Sequence, residues 1–306
     1  MVIPELVLPA SLVSLRIYET QIHEVRFQQS LKILEMDQCN GVNMIIPEGL
    51  ERFIYSGMDH YQIPVIPHGL LYLGLPYTKI GPIGLRHIRL PSTLTHLDLS
   101  NTTIGDAAKG LILPKGLTHL NLSHNGIGAE GAKIVLPLGM LHLDFRNNNI
   151  GNVGVKNLQL PATLTTLILD SNLISSVKDL PAGLTALSLD DNAIDIGELK
   201  FPDSLIVFTM RNNHIVINKL EIPRGMRNLD LSGNTLGVGV LENLKKKNPH
   251  LAVNPDHQSI MTIFKFSVKK GRDSHKTYSK DQYEKKHKHH KHTIFQSEVI
   301  PYEDNP

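Results

Sequence analysis

The sequence is poor in cysteine, in aromatic residues and in net charge. A single cysteine, Cys39, among 306 residues excludes an intrachain disulfide, and a chain of this size without cross-links suits a reducing compartment. Tryptophan is absent and aromatics reach only 5%, against 41% hydrophobic residues in all. The core must therefore be aliphatic, which suits a stack of thin, similar layers better than one globular centre. No run of roughly 18 apolar residues occurs, so no membrane-spanning helix is expected. The opening Met1-Val2-Ile3-Pro4-Glu5 has no basic segment ahead of an apolar one. A cleavable secretory signal is not expected, and the chain reads as cytoplasmic in the cell that makes it. There is no phosphate-binding loop, nucleophile elbow or HExxH. The expectation is a protein without catalytic residues, metal or cofactor.

Formal net charge is only +2, but its distribution is uneven. Residues 1–250 carry 21 Lys and Arg against 22 Asp and Glu, whereas residues 265–292 carry ten against three, with five His. A neutral body ends in a basic tail. Residues 1–254 read as the body, 255–268 as a capping strand with alternating Phe264, Phe266 and Val268, and 269–306 as a polar tail without structure of its own.

The body is repetitive. Proline recurs at Pro9, Pro47, Pro67, Pro91, Pro114, Pro137, Pro161, Pro181, Pro202 and Pro223, with Gln28 filling one slot. Three residues after each slot stands Leu or Met, and LxxLxL follows, as in Leu94-Leu97-Leu99 and Leu164-Leu167-Leu169. Eleven such copies exclude chance. Alternating leucines point to one face of a short strand. Proline lacks an N–H for a sheet ladder and forces the preceding residue to be extended, so it belongs just ahead of each strand. Three residues past the last strand leucine runs a polar column: Thr20, Cys39, Met58, Thr78, Thr102, then Asn125, Asn148, Asn172, Asn192, Asn213 and Asn234. An inward asparagine donates and accepts at once, and so ties down turn backbone that would otherwise be buried unpaired. Cys39 in this column is expected to be structural, buried and inert.

The LxxLxLxxN pattern resembles the leucine-rich-repeat family. The resemblance implies a right-handed α/β solenoid arc of about eleven repeats with a parallel sheet on its concave side. LPxxL, as in Leu160-Pro161-Ala162-Thr163-Leu164, is similar to the short bacterial subtype found in effectors that pathogens inject into host cells. IGxxGA-like segments at Ile104–Ala108 and Ile127–Ala132 resemble the ribonuclease-inhibitor-like subtype, and short outer helices are expected in repeats five to eight. Val238 to Lys247 reads as a closing helix. The resemblance implies a monomeric module that binds a host protein in the host cytosol. The alternative is a scaffold recruited to anionic lipid or nucleic acid by the basic tail.

Strand positions between the leucines face the concave side. One column holds His96, His119 and His142, the next Asp98, Asn121 and Asp144, and a third Arg146, Asp170, Asp190 and Arg211. These ten residues are the expected partner-binding surface, since charges of both signs on adjacent strands favour specificity. Binding is expected to vary with pH between about 5 and 8, with the sign open. Attachment points ~9.6 Å apart across three strands converge poorly on a tetrahedral zinc, so metal is the weaker reading. The apolar stretch around Ile33, Ile54, Leu71 and Tyr72 is the second candidate surface.

Overall fold

Each slot begins a tight turn. The carbonyl of Pro9 accepts the Leu12 N–H at 3.1 Å, and the same turn recurs at Pro91, Pro137, Pro181 and Pro223. Gln28 makes it too, its carbonyl 3.1 Å from the Leu31 nitrogen. At this first position the turn needs only the carbonyl, so glutamine makes it as well as proline does.

The computed structural model describes residues 2–39, 45–57 and 65–254. The chain divides into two units, Met1–Gln258 and Ser259–Pro306. The expected capping strand at 255–268, the tail at 269–306 and Met58 lie outside the described residues.

In chain order the first unit contains β1 (Val2–Leu6), β2 (Ser14–Tyr18), β3 (Gln21–Val25), β4 (Ile33–Asp37), β5 (Arg52–Ser56) and β6 (Tyr72–Gly74). Then follow α1 (Gly81–Leu85), β7 (His96–Asp98), β8 (His119–Asn121), β9 (His142–Asp144), α2 (Gly151–Asn157), β10 (Thr166–Ile168) and β11 (Ala186–Ser188). The unit ends with β12 (Val207–Thr209), β13 (Val216–Ile217), β14 (Asn228–Asp230), β15 (Thr235–Leu236), α3 (Val240–Lys247) and β16 (Ala252–Asn254). Twelve strands form one parallel sheet in the order β16-β14-β12-β11-β10-β9-β8-β7-β6-β5-β4-β2. β1 with β3, and β13 with β15, make separate two-stranded pairs.

The register aligns Leu73, Leu97, Leu120, Leu143, Leu167, Leu187, Phe208 and Leu229 in one row, all buried. A slip of one residue would turn that row outward, so burial fixes the pairing. Behind it the asparagine column forms a ladder. Asn148 Nδ2 donates to the carbonyls of Leu122 and Phe145, at 3.0 and 2.8 Å. Its Oδ1 accepts the N–H groups of Asn125 and Ile127, at 3.1 and 3.0 Å. Cys39 is fully buried in the same column, its thiol 3.7 Å from the Ile17 carbonyl. Burial pushes that thiol's pKa up.

One feature departs from the expectations and a second was not foreseen. Outer helices follow β6 to β9: α1, 3₁₀ turns at Gly105–Gly110 and Gly131–Lys133, and α2. They therefore occupy repeats four to seven, because Ile80-Gly81-Pro82-Ile83-Gly84 follows the same pattern without the alanine; repeat eight has none in its outer segment, and a further 3₁₀ turn at Ile196–Glu198 lies in repeat nine. The residue just before each column member also has positive φ, as at Glu19, Gln38, Tyr77, Asn101, His124, Asn147, Ser171, Asp191 and Asn212. Only Gly57 and Gly233 use glycine there. At Gly233 (φ +74) an added Cβ would lie 2.8 Å from the Asn212 nitrogen, so that glycine is required by space as well as by backbone.

Candidate binding face

The parallel register stacks side chains of equal position face to face. Tyr72, His96, His119 and His142 are in register on β6 to β9. The His96 and His119 ring centres lie 4.0 Å apart, His119 and His142 4.1 Å, and Tyr72 and His96 5.7 Å. The Arg52 guanidinium covers the free end of this stack, 3.8 Å over the Tyr72 ring. Sequence reasoning found the three histidines and missed this continuation, although Arg52 and Tyr72 occupy the same column.

Threonines orient the rings. Thr95 Oγ1 lies 2.8 Å from His96 Nδ1 and 3.0 Å from the Leu71 carbonyl. Thr118 repeats this with His119 Nδ1 at 2.8 Å and the Thr95 carbonyl at 3.1 Å. A hydroxyl has one hydrogen and a carbonyl none. The assignment that satisfies all three groups has the threonine donating to the carbonyl and Nδ1–H donating to the threonine. Burial lowers the pKa of all three histidines, and His96 and His142 on either side drive His119 down to about 3. The stack is thus neutral at physiological pH. Titration of these rings is displaced downward, first because burial disfavours the charged ring and, at His119, also because its two neighbours repel a second charge.

The next column serves the backbone. Asp98 Oδ1 accepts the Ser100 N–H at 2.9 Å, Asn121 Oδ1 that of Ser123 at 3.0 Å, and Asp144 Oδ1 that of Arg146 at 3.1 Å. Desolvation raises the Asp98 pKa. Asp144 is only 2% exposed and also receives Arg146 Nε at 2.8 Å. Asp190, equally buried, accepts the Arg211 N–H and Nε, each at 2.7 Å. Asp170 accepts the Asp190 N–H at 3.0 Å and the Ser188 hydroxyl. Burial, followed by repulsion from Asp190, raises the Asp170 pKa to about 7.

The ten expected residues do share one face, but not equally. Asp144 and Asp190 form its floor and hold the arginines, while His96, Asp98, His119, Asn121, His142, Arg146, Asp170 and Arg211 are half-buried and reach its surface. Towards the N-terminus, Glu35 bridges Arg16 and Arg52, with both contacts at 2.9 Å. Among the described residues no cluster of His, Cys, Asp or Glu is arranged to hold a metal ion.

This architecture is a leucine-rich-repeat solenoid of α/β type, a parallel concave sheet backed by short helices and turns. A family model described as Leucine Rich repeat matches residues 91–108, 117–133 and 140–158. Among solved structures, the chain is similar to YopM from Yersinia enterocolitica WA-314, with 22% identity and a TM-score of 0.44, covering 75% of this chain and 61% of that one. It is also similar to the APL1 leucine-rich repeat domain, with 18% identity and a TM-score of 0.44, covering 79% of this chain and 66% of that one. The chain thus spans less than two thirds of each. No curated protein sequence matches it.

Proposed function

We propose that this chain is a protein-binding module whose partner seats on the concave face over β7 to β12. The observation that supports it most is the order already present in that face. Stacked rings, each histidine flanked by another ring at 4.0 or 4.1 Å, and arginines held on buried carboxylates have little side-chain freedom left to lose on binding. A solenoid's concave sheet also offers an extended surface rather than a water-excluding pocket, which suits recognition more than catalysis. The finer reading, an effector acting on a host protein in the host cytosol, draws on the LPxxL motif. No helix of the described residues is long and apolar enough to cross a membrane.

The test replaces His96 and His119 together by alanine in the full chain and measures affinity for the protein that the unmodified chain captures from host-cell lysate. The expected result is a loss of about tenfold or more with an unchanged circular-dichroism spectrum. Unchanged affinity would move the site to the stretch around Ile33, Ile54, Leu71 and Tyr72.

A further inference from the structure

A second surface emerges where each repeat returns towards its strand. The residues ahead of the proline slot alternate inward, outward, inward. Ile134 and Leu136 are 2% and 8% exposed while Val135 between them is 78% exposed; Leu111 is 7% exposed and Ile112 is 88%. The outward position, two residues before the slot, forms its own column. In the last four repeats it carries Gln159, Asp179, Lys200 and Glu221, so the fold accepts polar side chains there. In the first seven it carries Val7, Arg26, Ile45, Val65, Arg89, Ile112 and Val135. The five aliphatic members are 78–88% exposed, and Leu138 beside Val135 is 85% exposed. Scattered surface aliphatics are ordinary; five at one structural position, giving way to four polar residues, are not.

We propose that this aliphatic–arginine ridge seats on an anionic lipid surface. Two features favour a bilayer over a protein. The ridge is one side chain wide, and five aliphatic side chains in single file offer less than the ~800 Å² per partner that a stable protein interface buries. Lipid instead surrounds each side chain separately, so a narrow ridge inserts all of them. The charge also fits. The first seven positions contain two arginines and no carboxylate, which places cations at headgroup depth between inserting aliphatics. The ridge belongs to the returns ahead of the strands and shares no residue with the strand positions of the concave face. The proposal is independent of what binds there.

The experiment co-sediments the full chain with phosphatidylcholine vesicles, with and without phosphatidylserine. Its variant is Ile112→Gln with Val135→Gln, which installs the residue that the position carries in repeat eight and changes no charge. The expected result is binding to the phosphatidylserine vesicles, weakened about tenfold in the variant, with an unchanged circular-dichroism spectrum. Gln159→Asn, in the polar part of the column, is expected to bind as the unmodified chain does. Absence of vesicle binding by the unmodified chain overturns the proposal. Undiminished binding by the variant also overturns it and assigns attachment to the basic tail. A lipid-free dimer that the variant dissociates assigns the ridge to a second copy.

Discussion

Asn148 and Asn172 stand in the same column but hold different amounts of backbone. Asn148 closes bonds on both sides of its amide. Asn172 donates to the carbonyls of Phe145, Leu169 and Asp170, whereas its Oδ1 is buried without a partner. Asn148→Ala is therefore expected to cost about 2–4 kcal/mol, because it orphans buried N–H groups as well as carbonyls. Asn172→Ala is expected to cost about 1–2 kcal/mol. Urea unfolding of the two variants checks the order, and a larger loss at Asn172 would contradict it. Cys39 belongs to the same column. Its thiol is expected to react with a labelling reagent only on unfolding, since burial both hides it and disfavours the thiolate; rapid labelling of the folded chain would count against this. The column was legible from spacing alone. The positive φ beside it was not, because Glu19, Gln38 and Tyr77 carry no sign of a left-handed backbone. That conformation is imposed by the ladder rather than by the residue.

At the scale of elements, the strands were legible because LxL alternation needs only one buried face. The outer segments were less so: α1 begins with Pro82 at its first turn, so the repeat-four helix lacks the alanines by which the later segments were recognised. The histidine positions were readable, but their electrostatics depend on ring separations that spacing does not provide. Two opposing pH effects follow. A histidine whose folded pKa is lowered adds stability that is present above about 6.5 and is lost as pH falls towards the folded value, about 3 for His119. Asp170 works the other way: its pKa is raised to about 7, so its contribution is present at low pH and is lost as pH rises through about 7. His119→Gln is therefore expected to flatten the fall in unfolding midpoint between about pH 6.5 and 5. Asp170→Asn is expected to flatten the fall on raising pH from about 5 to 8. Thermal melts across that range separate the two, and parallel profiles for variants and unmodified chain would contradict the assignment.

For the whole molecule, twelve in-register strands fix the columns so firmly that function reduces to which column meets a partner. The sequence placed the ten candidate residues on one face because period two and the repeat length together determine it. It could not distinguish floor from surface: Asp144 and Asp190 look like Asp98 in the sequence, yet each is 2% exposed. That distinction arises from the arginines that close over them, Arg146 over Asp144 and Arg211 over Asp190. The most direct test of the central claim places a photo-cross-linking residue at His119, on the concave stack, or at Lys156, on α2. Cross-linking of the full chain in host-cell lysate is expected to give a discrete adduct from position 119 and none of the same mass from position 156. The same adduct from position 156, with none from position 119, would contradict the concave site.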